Sequence, residues 1–88
     1  MARKVWKFGI LFHISNVIEI PEGAEIVHVH DQDGTPTMWA LIDDSKPMVK
    51  RTFCIRGTGM GDILDNFKYI GSTHNDRFVW HIFEVMEK

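Results

Sequence analysis

Cysteine is almost absent from this chain: Cys54 is the only one among 88 residues. An internal disulfide framework is therefore excluded, and the composition suits a reducing cytoplasm. A cationic excess is lacking too. The 10 Lys and Arg stand against 12 Asp and Glu, for a formal net charge of -2. A duplex-binding module carries a basic patch, whereas the closest cationic pair here is Lys50 and Arg51, so binding to duplex nucleic acid is not expected. No apolar run reaches the roughly 18–20 residues that span a bilayer. Lys7 interrupts the stretch behind the basic start Met1-Ala2-Arg3-Lys4, and no small-residue cleavage site follows, so neither a membrane segment nor a signal peptide is expected. Long polar tracts and internal repeats are missing as well. The chain reads as a single domain, 1–88.

What is present is a hydrophobic fraction of 44%, with aromatics at 11% and charged residues at 25%. Each large ring removes roughly 150–250 Å² from water on burial, so even a short chain can build a core. The run 4–12 puts Trp6, Phe8, Ile10 and Phe12 on one face by period-2 alternation, and a helix there would scatter its rings and hold Gly9 in its middle. After a turn at Ser15-Asn16, residues 17–20 form a second strand, and Pro21-Glu22-Gly23 supplies turn chemistry. A third strand, 24–30, meets the clearest hairpin signal, Asp33-Gly34, which suits a type I′ turn. Because Pro36 cannot donate to a ladder, the returning strand is expected to begin at or after it, with a loop longer than two residues.

Asp43-Asp44-Ser45-Lys46-Pro47 turns the chain again. In the strand 48–56, Val49, Arg51, Phe53 and Ile55 share one face. Lys50, Thr52, Cys54 and Arg56 share the other, which reads as solvated. Asp62 is a candidate N-cap for one helical turn over 62–66. Strand character resumes over 67–73, and His74-Asn75-Asp76 is the last turn. The final run, 77–86, is apolar on both faces, as a central or covered strand is. The class is all-β: a small antiparallel sandwich or partly closed barrel of about six to seven short strands, with at most one helical turn. So many exposed edges favour a homodimer.

Several strings then resemble a known pattern. They are Ile20-Pro21-Glu22-Gly23-Ala24-Glu25-Ile26-Val27-His28-Val29, Asp33-Gly34-Thr35-Pro36, Trp39-Ala40-Leu41-Ile42-Asp43, Arg51-Thr52-Phe53, Gly57-Thr58-Gly59, Tyr69-Ile70-Gly71-Ser72 and Phe78-Val79-Trp80-His81-Ile82-Phe83-Glu84. Together they are similar to a family of short phage and prophage proteins of unknown function, along nearly the whole chain. The resemblance implies a phage-type product acting in the host bacterial cytoplasm. Members often carry His and Pro after the Gly-Thr-Gly element, where this chain has Met60 and Gly61. A role needing that histidine does not carry over.

Four constellations bear on chemistry. The loop 57–61 can offer backbone N–H groups to an anion, with Arg51 and Arg56 adding bidentate contacts. It lacks the Lys-Ser/Thr of a Walker loop and any surrounding βαβ unit, and its glycines also suit a plain turn needing positive φ. His28 and His30 share a strand face near Asp31 and Asp33, but two histidines fall short of a zinc set. Trp39, Tyr69, Trp80 and Phe83 can stack on a base or fill a core; Trp6 and Trp80 read as core anchors, and Trp39 as the ring that reaches the surface. Cys54 with His81, and Asp43 with Glu84, can meet across strands, but no motif fixes either pair. The expectation is a non-catalytic binding protein with no cofactor, no metal and no catalytic residues. It would sequester a small anionic ligand, such as a nucleotide, or block a host protein in counter-defence. Arg51, Arg56, Gly57, Thr58, Gly59 and Trp39 are its candidate ligand contacts. A strand-edge assembly accessory and a small nucleotide hydrolase are the alternatives.

Overall fold

A computed structural model of the chain describes residues 3–12, 15–75 and 77–87. Met1, Ala2 and Asp76, assigned above to the basic start and the last turn, lie outside them. Seven strands follow one another: β1 (Arg3–Gly9), β2 (Asn16–Pro21), β3 (Glu25–Gln32), β4 (Thr35–Asp43), β5 (Met48–Gly57), β6 (Phe67–Asn75) and β7 (Phe78–Val85). All pair antiparallel in two sheets, ordered β1-β4-β3 and β2-β5-β7-β6. No ladder joins the sheets among the described residues, so the architecture is a sandwich and not a partly closed barrel. Its smallest extent, 16 Å, fits two sheets stacked about 10 Å apart with outer side chains added. No helix of the described residues is long and apolar enough to cross a membrane.

Alternation decides what is buried. In β4, Met38, Ala40 and Ile42 are sealed inside, while Trp39 and Leu41 between them are half-exposed. The opposite sheet answers with Phe53 and Ile55 of β5 and Ile82 of β7. Two core clusters result, one around Phe53 and one around Ile20 and Ala40, and Phe8, Ile18 and Ile26 pack against both. β7 lies between β5 and β6, the central place its two apolar faces require.

Three expectations need correction. The hairpin loop is only two residues long: Asp33 and Gly34 take φ of 51° and 86°, and Gln32 pairs with Thr35. Pro36 lies inside β4, opposite Asp31. That pair is the first beyond the hydrogen-bonded one flanking the turn, so β3 requires no donor from it. The helical turn at 62–66 is replaced by a β-turn closed by Phe67 N–H on Leu64 O at 3.0 Å, and Asp62 sits at φ 64°. The face of Cys54 and Arg56 is covered and not solvated, since they keep 0% and 8% exposure. The segment between β5 and β6 crosses that face, and Phe67 brings its ring within 5.6 Å of the Arg56 guanidinium and 5.8 Å of the Phe83 ring.

At Gly71 a Cβ would stand 3.1 Å from Val29 Cγ2, so a side chain there would be tight and would press Val29 of β3 aside.

Arg51 points into the sandwich, where a charge needs a partner. Its Nε and Nη2 donate to Glu84 Oε2 and Oε1 at 2.6 and 2.7 Å, and Nη1 donates to Ala24 O at 2.7 Å. The paired carboxylate is almost enclosed, at 9% side-chain exposure. Removing one partner leaves the other charge buried alone, a loss of about 3 kcal/mol. Urea unfolding of Arg51→Met should show that loss, and the double variant Arg51→Met/Glu84→Leu should recover much of it. A double variant as unstable as the sum of the singles would refute this account.

Candidate functional site

The glycine-rich loop begins where β5 ends. Met60 N–H donates to Gly57 O at 3.0 Å, closing a four-residue turn whose third residue, Gly59, takes φ 90°. That is type II geometry, which requires glycine or asparagine at this position. Thr58 N–H donates to Val79 O at 3.1 Å and Gly57 N–H to Met60 Sδ at 3.1 Å. Among the described residues this leaves the N–H groups of Gly59 and Gly61 uncommitted within the loop. A side chain at Gly57 would be tight, because a Cβ would lie 3.1 Å from both Met60 Sδ and Trp80 Cζ3.

Beside the loop lies a concavity of about 480 Å³ walled by Phe12, Ile55, Arg56, Met60, Asp62 and Trp80. Phe12 meets Trp80 edge to face at 4.9 Å, and the aromatic wall stays open to solvent, with Phe12 49% exposed. Arg56 and Asp62 are the charged residues of this wall. Arg56 Nη1 donates to Ile55 O at 3.1 Å, and Nη2 makes a long contact of 3.5 Å to Asp62 O. The ion pairs among the described residues are Lys4 with Asp44 and Arg51 with Glu84, so Arg56 has no carboxylate partner there. Within the fold the guanidinium meets two peptide oxygens and the face of the Phe67 ring, which leaves donors open to solvent. A carboxylate or phosphate oxygen at the wall would complete it.

A polar chain runs along the other side of the loop. Thr58 Oγ1 lies 2.8 Å from His81 Nε2, and Tyr69 Oη lies 2.8 Å from His81 Nδ1. Both ring nitrogens of His81 are thereby engaged, one as donor and one as acceptor in the neutral ring.

Of the residues singled out in the sequence, the fold brings Arg56, Gly57, Thr58 and Gly59 together. It sets Arg51 apart, on a second concavity of about 350 Å³ with Ala24 and Glu84, its donors committed to those two groups. Trp39 stands on the outer face of the other sheet, its ring 5.3 Å from that of His28. His28 and His30 stack at 5.8 Å, and no group of three His, Cys, Asp or Glu suited to a metal occurs among the described residues. Tyr69 and Phe83 pack edge to face at 5.3 Å on the outer face of their own sheet, away from Trp80. Cys54 pairs with Phe83, while His81 pairs with Arg56. Asp43 accepts from Ser45 Oγ at 2.6 Å, and its bonds from Ser45 hold the carboxyl below the usual carboxylate range. Neither cross-strand pair considered for catalysis forms.

Phe12 and Met60 are the walls that sequence reasoning missed, and Trp80, weighed there as a stacking ring, was assigned to the core. Trp80 shares its strand face with the core residue Ile82, so alternation alone marks it as interior. Neither it nor Trp6 is a sealed core anchor: Trp80 is half-buried at the pocket, and Trp6 is 36% exposed on the edge strand β1. The one available signal was position, since Trp80 pairs with Gly57 at the end of the ladder.

The fold defines a class, the small antiparallel β-sandwich, with a solvent-open aromatic pocket at one end. Over residues 1–88 the chain belongs to the family described as Domain of unknown function (DUF7352). No curated protein and no solved structure is significantly similar to it.

Cys54, fully buried, has its thiol pushed up by desolvation, with Arg56 pulling the other way. Alkylation at pH 8 should be at least about tenfold slower in the native protein than in urea. Equal rates would show that the covering segment does not protect it.

Proposed function

We propose that this is a small non-catalytic binding protein that captures an anionic, ring-bearing ligand, such as a nucleotide, in the pocket beside the glycine-rich loop. The observation that carries the reading is Arg56: a buried guanidinium without a carboxylate partner among the described residues, in the wall of an aromatic concavity. The ring packs against Trp80 and Phe12, and the anion takes the free donors of Arg56, with the N–H groups of Gly59 and Gly61 nearby. Stacking on an exposed aromatic contributes about 1–3 kcal/mol per base, and a charge-assisted bidentate contact supplies orientation. The resemblance to phage and prophage products supports reading this capture as a counter-defence function in the host cytoplasm, the withdrawal of a nucleotide signal. Its unpaired sheet edges suit a homodimer.

A thermal-shift screen of nucleoside monophosphates should raise the melting temperature by roughly 5 °C or more at saturation. By calorimetry, Trp80→Ala should weaken binding of the active compound about tenfold. A flat screen, or unchanged affinity in Trp80→Ala, would defeat the proposal.

One observation favours a second reading, the nucleotide hydrolase. Thr58, His81 and Tyr69 form a hydroxyl–imidazole–hydroxyl chain, and a base held between a hydroxyl and an orienting group is how nucleophiles are activated. Turnover of a nucleotide that is lost in His81→Gln would establish it. Binding without turnover would set it aside.

A further inference from the structure

Trp80 also lines a second concavity. This one, about 400 Å³, is lined by Gly57, Thr58, Met60, Arg77, Phe78 and Trp80. Met60 and Trp80 therefore line both hollows. The two halves repeat one chemistry. Each sets a phenylalanine beside the shared indole, Phe12 at 4.9 Å and Phe78 at 5.9 Å. Each also holds one arginine, Arg56 in the first and Arg77 in the second.

The partition between them is soft. Met60 is 53% exposed, and its thioether is held by the single Gly57 N–H contact at 3.1 Å. Methionine has three rotatable bonds and adapts to irregular shapes, so it can shift at the cost of one such contact. The loop's outer side is also clear, since a Cβ on Gly59 or Gly61 would meet nothing within 4 Å. A linker can pass there close to the backbone.

We infer that the site takes a ligand of two like halves, a dinucleotide with one ring in each of the two concavities that share Trp80, and that Met60 is the specificity-determining residue between them. This rests on the ring-capture reading above and adds the ligand's size and its doubled form. Joining two binding groups in one molecule makes the second contact intramolecular, so affinity rises without any new surface.

The test is calorimetric titration of the full chain with adenosine and guanosine 5′-monophosphates and with the corresponding linear 3′,5′-linked dinucleotides. The dinucleotide of the preferred base should bind at least about tenfold more tightly than its mononucleotide. Arg77→Ala should reduce that ratio towards one while leaving mononucleotide affinity within twofold or so, and Met60→Phe should also reduce the ratio. Equal affinities of mono- and dinucleotide would overturn the inference and leave single-ring capture standing. Failure of every compound to bind would overturn both. A ratio unchanged in Met60→Phe would remove Met60 from its role.

Discussion

The ion pair between Arg51 and Glu84 ties together three parts of the sandwich. Arg51 belongs to β5 and Glu84 to β7, and the third arm of the guanidinium reaches the carbonyl of Ala24, just past the β2–β3 turn. One side chain thus fastens two neighbouring strands of one sheet to the corner where the chain crosses to the other. A buried charge is tolerated only when its hydrogen-bonding positions are filled, and here both carboxylate oxygens and all three guanidinium nitrogens are used. The surrounding core is small, built from residues such as Phe53, Ile20 and Ile42. In so thin a protein, an unsatisfied charge at this point would have little apolar packing to offset it.

Arg56, five residues along the same strand, stands in the opposite condition. It is as deeply placed, yet its contacts are peptide oxygens, one of them at the long limit of a hydrogen bond. The contrast follows from alternation: odd positions of β5 face the partner sheet and even ones the covering segment. Arg51 therefore meets Glu84 across the ladder, whereas Arg56 emerges beside the aromatic end of the molecule. The same strand supplies a charge satisfied within the fold and one that a bound anion would satisfy.

Much of this was legible in the residues. Period-2 runs located the strands, Asp33-Gly34 marked the hairpin, and the two apolar faces of 77–86 placed that strand in the interior of its sheet. The charge of Arg51 on an apolar face announced a need for a partner. The errors share a cause. Reading Cys54 and Arg56 as solvated along with Lys50 and Thr52 assumed that polar spacing marks a face open along its whole length. Lys50 is indeed exposed, but Cys54 and Arg56 at the other end are covered. Taking Trp80 as a core anchor assumed that a ring in register with Ile82 is equally enclosed, although it lies at the ladder's end. Pro36 was read from its missing donor alone, without the hairpin register that makes the donor unnecessary.

The sequence by itself determined that the chain is all-β, where most strands run and which residues alternate towards a core. These are consequences of local sterics and side-chain period. Tertiary structure alone decided that Glu84 answers Arg51, that Phe12 comes against Trp80, and that Arg56 lies buried without a carboxylate among the described residues. The pairs Arg51–Glu84 and Phe12–Trp80 join residues 33 and 68 positions apart. No periodicity encodes them, because they depend on the order of strands in the sheets and on where the covering segment crosses.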